Sequence, residues 1–362
     1  MKILMLEEFS RIGGGQELFR DVYNVISEGN ELFLVTDRNY SLEYEFKSVF
    51  RTSFSYKENM SRILLLIRIL RLRRSIENIV KNIYYDLAFN NHPNIFIFKG
   101  DINYLHGFSF LDPIIDEQGN IMNHALFKLI KLSGIYKTYE NARFLTHGKY
   151  TMEISKKLFP MLDINYKKID YINIPVKEFY DVDLNEKKDM VLTFGRINRE
   201  KNLDIVLDAA RTLSGIKFVI AGAVNRGDEH YYEKLRENAP RNVSIIKNPD
   251  ENAKIELFKD AKVYLHTKKK EHYGITVAEA ISFGCIPVVP RSGGPWIDIV
   301  DQGRYGIGYN NKPDEAIRQA LSSDSEFAKS IYSSRDRFDF SIFKEKVRNY
   351  FESVAEEKGI KT

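Results

Sequence analysis

The stretch "MVLTFGRINREKNLDIVLDAA", residues 190–210, decides the fold. A strand pattern ends at Gly195, Arg196 follows at once, and Lys201 stands near the start of the next helix. Downstream, "IKFVIAGA", "VSIIKN", "KVYLHT" and "IPVVPR" continue the series; each but the last precedes a helix-like segment, and the last runs into a Gly-Pro loop. Short apolar runs alternating with amphipathic stretches are the signature of β-α units in a parallel sheet covered on both faces. Upstream, the same alternation gives strands at Ile3–Leu6, Leu32–Thr36, Leu87–Phe89, Ile95–Phe98, Tyr104–His106 and Phe144–Thr146. Between the two series lies "YINIPVKEFYDVDLNEKKD", a Pro-bearing and then charge-rich stretch that reads as a linker. The expected architecture is α/β with two doubly wound, Rossmann-like domains. Residues 1–176 form the first and 190–335 the second, and a helix in 336–362 docks back near the first. Phe343, Val347, Tyr350, Phe351 and Val354 give that helix one apolar face. Ligands of such sheets sit at the carboxyl ends of strands, so a cleft between the domains is the expected working site.

Composition narrows the function classes. At 362 residues and 43% hydrophobic content the chain can bury two cores. Its 54 Lys and Arg nearly balance 50 Asp and Glu, so attraction to a charged partner must come from a local patch. No basic-aromatic stripe points to nucleic acid. The lone cysteine, Cys285, excludes a disulfide framework and reads as a small core hydrophobe. The opening "MKILMLEEF" runs straight into a strand without the features of a signal peptide, and no window is apolar enough to span a bilayer; a cytoplasmic protein is expected.

Three segments carry the chemistry. Gly13, Gly14 and Gly15 precede a helix, a setting in which backbone can approach an anion, though three glycines also make a plain turn. Arg196 and Lys201 follow a strand, where Arg forks onto phosphate oxygens and Lys adds a point charge. In "KKKEHYGITVAEAISFGCIPVVPRSGGPW", residues 268–296, Glu271 stands before Gly274 and Glu279 eight residues on. Thr276 with Glu279 spells a capping box, which would make Glu279 a local helix device. Glu271 has no such reading. Two carboxylates around the amides of Gly274, Ile275 and Thr276 suit a ligand with hydroxyls at both ends and a diphosphate between, as in a nucleotide sugar.

These residues resemble a known family. "EHYGITVAE" is similar to the E-x7-E motif of the retaining GT-B glycosyltransferases of family 4, and "FGRINREKN" to their diphosphate-binding segment. "GGGQE", "THGKYT", "INIPV" and "SGGPWIDIV" resemble further motifs, the last two being most like the α-1,2-mannosyltransferases that extend dolichol-linked oligosaccharides. The resemblance implies a GT-B fold, two such domains facing a deep cleft, and a hexosyltransferase of glycan biosynthesis using GDP-mannose. Arg196 and Lys201 would hold the diphosphate, Glu279 the ribose hydroxyls and Glu271 the transferred sugar. Gly274, Ile275 and Thr276 would complete the phosphate cradle, with Gly14 and Gly15 closing on it. His106 falls where the family has a sugar-contacting histidine, with His92 as the alternative. Neither a metal nor another cofactor is expected, and Asp181-Val-Asp183, beside Lys187 and Lys188, reads as solvated surface. Tyr273 in place of the commoner Phe, and Thr146-His147-Gly148, depart from the pattern on the acceptor side.

Other readings of the same architecture are a UDP-sugar glucosyl- or N-acetylglucosaminyltransferase, a sugar-nucleotide epimerase, a phosphorylase, and a non-catalytic sugar-nucleotide sensor. A lipid-linked acceptor is expected, because the helix-like segment from Arg62 to Ile83 holds more apolar residues than one core stripe needs. Leu65, Ile69, Leu72, Ile76, Ile79 and Ile83 form that stripe. Leu66, Ile67 and Leu70 lie outside it among arginines, a mixture suited to peripheral contact with an anionic, cytoplasmic membrane face.

Overall fold

A computed structural model describes residues 1–7, 14–37, 44–52, 62–108 and 111–360, with backbone alone for Gly14, residues 62–67 and Pro113. The chain divides into two compact units, residues 1–174 with 341–362, and residues 175–340.

The first unit contains β1 (Lys2–Glu7), α1 (Gly14–Ile26), β2 (Glu31–Thr36), β3 (Ser48–Arg51), α2 (Arg62–Val80), β4 (Leu87–Asn90), β5 (Ile102–Leu105), α3 (His124–Leu132), β6 (Arg143–Thr146), α4 (Lys149–Met161) and β7 (Lys168–Tyr171). The second contains β8 (Lys188–Phe194), α5 (Asp204–Thr212), β9 (Lys217–Gly222), α6 (Glu229–Glu237), β10 (Val243–Lys247), α7 (Glu251–Asp260), β11 (Ala261–Leu265), α8 (Ile275–Ser282), β12 (Ile286–Pro290), β13 (Ile307–Tyr309), α9 (Asp314–Leu321) and α10 (Ser325–Ser333). The last helix, α11 (Phe340–Glu357), begins at the boundary and lies almost wholly in the first unit.

Seven strands of the first unit form a parallel sheet in the order β3-β2-β1-β4-β5-β6-β7. Ile3, Leu4, Met5 and Leu6 are fully buried, as strands covered on both faces must be. Buried Ile69, Leu72, Ile76 and Val80 seat α2 on the core, while Leu65, Leu66 and Ile67 lie outside the residues whose side chains are described. Helix α11 buries Phe343, Val347, Phe351 and Val354, with Phe351 5.5 Å from the ring of Phe89, and Lys344 and Arg348 both pair with Glu28.

Six parallel strands of the second unit follow the order β10-β9-β8-β11-β12-β13. Both sheets are doubly wound with helices between the strands, which is the α/β, GT-B architecture. Among the described residues no helix is long and apolar enough to cross a membrane.

Two readings from sequence are corrected here. Residues 95–98 form turns rather than a strand: the buried Asn90 amide donates to Phe96 O and Phe98 O at 2.7 Å each and takes the carbonyls a strand would have offered to a neighbour. Residues 175–189 belong to the second unit rather than to a free linker. Val176 N donates to Phe338 O, Tyr180 stacks on Phe283 at 4.9 Å, and the Lys187 ammonium donates to Phe258 O at 2.8 Å beside Cys285. Lys187 is therefore no solvated charge, and burial pushes its ammonium below the usual lysine range.

Candidate functional site

In the second unit the candidate residues gather at the carboxyl ends of β8, β9 and β11. Strand β8 stops where Gly195 takes φ +147°, and Gly195 N donates to Ala221 O at 3.0 Å. The next residue, Arg196, is exposed and makes no ion pair or hydrogen bond with the described residues. Arg196 and Lys201 line one recess with Thr193, Tyr264, His266 and Thr267, enclosing about 290 Å3 out to open solvent.

Lys201 Nζ donates to Glu271 Oε2 at 2.5 Å. Both side chains are mostly shielded, 23% and 17% exposed, so the pair acts through a lower dielectric than a surface pair would. Burial pushes the Glu271 carboxyl up, but the Lys201 and Lys268 ammoniums outweigh it and hold the group well below the usual carboxylate range. The anion is therefore kept at every physiological pH. The Lys201 backbone is fixed too, because the Thr267 hydroxyl donates to Lys201 O. His266 stands beside the pair, and burial with the nearby Lys201 charge pushes its imidazole down to about 4, so it is neutral at pH 7.

The loop bearing Glu271 is clamped from one side. Gly294 N donates to Glu271 O at 2.8 Å, and the Ser292 hydroxyl reaches Lys269 O at 3.1 Å. A Cβ on Gly294 would sit 2.2 Å from His272 O, so "SGGPW" needs its second glycine for this close approach.

Helix α8 opens at Gly274, φ +94°, with no side-chain cap. The capping box read from Thr276 and Glu279 is not formed. The Thr276 hydroxyl instead lies 2.8 Å from the Tyr264 hydroxyl, and Glu279 pairs with Lys254 Nζ at 2.9 Å. Burial acts to lower the Lys254 ammonium, and the Glu279 carboxylate outweighs it, holding the group above its usual range. Ile275 and Thr276 stand in the first turn of α8, where amides face outward from the helix start.

In the first unit, Gly14 and Gly15 open α1, while Gly13 lies outside the described residues. His92 and His106 both lie against Gly15: an added Cβ there would be 3.5 Å from His92 Cε1 and 3.6 Å from His106 Nδ1. The two rings stack 4.9 Å apart, so the structure places both candidate histidines together rather than choosing between them. Asp181 and Asp183 are exposed, and Asp183 accepts from Asn185 N.

Residues 177–334 match the family described as glycosyl transferases group 1. The second unit carries a glycosyl transferases group 1 domain. Human alpha-1,3/1,6-mannosyltransferase ALG2 is 24% identical over 209 residues, half of this chain and half of its own. The human GDP-Man:Man(3)GlcNAc(2)-PP-Dol alpha-1,2-mannosyltransferase is 30% identical over 160 residues, 38% of this chain and 32% of its own. The chain thus aligns with half or less of the length of these relatives. Among solved structures, the sucrose-phosphate synthase from Thermosynechococcus elongatus superposes with a TM-score of 0.72 over 98% of both chains at 14% identity, a likeness of fold.

Sequence reasoning missed Lys254, Tyr264 and His266 in this domain. The strand-end positions of Tyr264 and His266 were a usable signal; Lys254 carries none, since a helical lysine is ordinarily solvated.

Proposed function

We propose that the chain is a retaining glycosyltransferase that moves a hexose, mannose, from GDP-mannose to a glycan acceptor carried on a lipid. The observation that carries this reading is the shielded Lys201–Glu271 pair with Arg196, unpaired among the described residues, beside it at the strand ends of a glycosyl transferases group 1 domain. Arg196 and Lys201 take the diphosphate oxygens and stabilise the charge that grows as the anomeric C–O bond breaks. The acceptor oxygen bonds to the anomeric carbon on the face the diphosphate leaves, and its proton passes to the departing phosphate. Glu271 accepts from hydroxyls of the transferred sugar and Glu279 from the ribose, while Gly274, Ile275 and Thr276 offer backbone amides to phosphate. Gly14 and Gly15 approach a phosphate of the donor, and His106 takes a hydroxyl of the sugar. The reading uses neither a metal nor a further cofactor. The mannosyl donor is supported by the names of the two human relatives.

A panel of GDP-mannose, UDP-glucose, UDP-GlcNAc and ADP-glucose tests the donor. GDP-mannose should raise the melting temperature, because a ligand that binds only the native state stabilises it. Glu279→Gln should weaken that donor by about 1–2 kcal/mol, since charged hydrogen bonds exceed neutral ones by that order. No shift with any of the four sinks the reading, a larger shift with another sugar replaces the donor, and unchanged affinity in Glu279→Gln removes the ribose contact.

A peripheral position on the cytoplasmic face of a membrane, where a lipid-linked acceptor resides, is supported by α3. Met122, Leu129 and Leu132 are 70%, 44% and 74% exposed, while Phe127 and Ile130 seat the opposite face. His124, Lys128, Lys131 and Lys137 accompany them, with no Asp or Glu between Glu117 and Glu140. Apolar side chains among lysines suit the headgroup boundary of anionic lipid. Leu129→Ser with Leu132→Ser should abolish flotation with phosphatidylglycerol vesicles at low salt. Equal flotation of variant and wild type would move the contact elsewhere.

A further inference from the structure

Strand β11 runs out through Tyr264-Leu265-His266-Thr267, and three hydroxyls tie this end to the segment that carries Arg196 and Lys201. The Thr193 hydroxyl donates to Leu265 O at 2.9 Å, the Thr267 hydroxyl donates to Lys201 O, and the Tyr264 hydroxyl lies 2.9 Å from Phe194 O. Of the three, Tyr264 alone also reaches α8, where its hydroxyl lies 2.8 Å from Thr276 Oγ1. The β8–β11 ladder pairs residues as far as Leu192 with Tyr264, so on this side Phe194 O lies beyond the last pair and meets a side chain instead.

The Tyr264 phenol has one proton for its two neighbours. Phe194 O is a carbonyl and only accepts, so the phenol donates to it, and the Thr276 hydroxyl donates to the phenol oxygen. Burial pushes the phenol above the usual tyrosine range, which keeps that proton in place at neutral pH. The Thr276 hydroxyl proton is thereby spent, and what the first turn of α8 has left for an anion is its backbone amides. Arg196 depends on the same tie. Its exposed side chain makes no ion pair or hydrogen bond with the described residues, so its placement is inherited from its backbone neighbours. Gly195 N and Ile197 N fasten that backbone to Ala221 O and Ala223 O on the β9 side, and Tyr264 fastens it through Phe194 O on the β11 side.

We propose that Tyr264 is a positioning residue: its single hydroxyl holds the first turn of α8 against the end of β8, so that the α8 amides and the Arg196 guanidinium converge on one diphosphate. This rests on the donor-binding reading above for its ligand, but not for its geometry. The ring gives the hydroxyl little freedom, being buried and stacked on Phe258 at 5.8 Å and 16°. Tyr264→Phe keeps the ring and removes both hydrogen bonds. Thr276→Val, at a half-buried position, removes only the α8 half of the tie. In either variant the spacing of the two anion contacts is no longer set.

The experiment is calorimetric titration of the full-length protein with GDP, UDP and ADP, beside competition by the matching nucleosides. For the diphosphate that the wild type binds, Tyr264→Phe and Thr276→Val should each weaken affinity about 10-fold, the scale of one charged hydrogen bond. The double variant should match Tyr264→Phe within about 2-fold, because a single tie is broken only once. Nucleoside affinity should stay within about 2-fold throughout, which a general loss of packing would not spare. Unchanged diphosphate affinity in both single variants, losses that add in the double variant, or an equal loss for the nucleoside overturns the proposal. If Tyr264→Phe does not fold, Thr276→Val decides by the same two affinities. A wild type that binds none of the three diphosphates sinks the donor reading and this inference together, whereas wild-type binding that both variants retain sinks this inference alone.

Discussion

On the proposed function, Arg196→Ala is expected to lower kcat/KM by about 2–4 kcal/mol, roughly 30- to 1000-fold, because it would remove a charged contact that strengthens as the diphosphate leaves. The folded protein should not register the change. Arg196 is exposed and holds nothing else among the described residues, so its melting temperature should match the wild type. Glu271→Ala should cost a similar factor in rate but also a measurable amount of stability, since it leaves the shielded Lys201 ammonium without its 2.5 Å partner. A shielded charge stripped of its partner costs about 1–3 kcal/mol. On that reading the two variants separate a proposed contact to ligand alone from one that also serves the fold. Wild-type turnover from both, with an authentic acceptor, would remove the proposed site from this recess.

The difference between these residues also marks what the sequence could and could not reveal. Strand ends are local events, so Arg196 and Lys201 could be singled out as candidates from an apolar run followed by a glycine and charges, and Glu271 from a charge run after a strand and before Gly274. The pairing of Lys201 with Glu271 spans 70 residues and needs parallel β8 and β11 to be neighbours, which local pattern does not specify. In the first unit, the hydrogen bond from the Asn91 amide to Glu7 spans 84 residues and was missed outright, because a glutamate closing a strand looks like any polar terminus. Thr276 and Glu279 failed in the opposite sense. Their three-residue spacing satisfied a capping rule, but Gly274 sits at the cap and Tyr264 and Lys254 claim the two side chains from other elements. The Ile95–Phe98 run misled for the same reason: apolar residues mark burial, and only the destination of the backbone carbonyls distinguishes strand from turn.

Gly222→Ala is expected to be the most damaging small substitution in the second unit. Gly222 closes β9 at φ +152°, a conformation that costs a non-glycine residue about 1–3 kcal/mol. Its surroundings add a collision, since a Cβ would fall 1.6 Å from Gly195 O. Retreat is blocked on both sides: Gly195 N and Ile197 N donate to Ala221 O and Ala223 O, and Asn248 N donates to Gly222 O at 2.8 Å. Overpacking of a fixed contact costs about a further 1–3 kcal/mol. Whatever backbone shift relieves the clash must move Gly195, and with it Arg196, the next residue. A displacement near 1 Å at a contact residue reaches about 100-fold in rate, so donor affinity and turnover should fall together with the melting temperature. Gly227→Ala is the control, as its added Cβ meets open space in the same loop and should leave all three unchanged. A Gly222→Ala protein with wild-type stability and donor affinity would show that the β8–β9 glycine contact does not position Arg196.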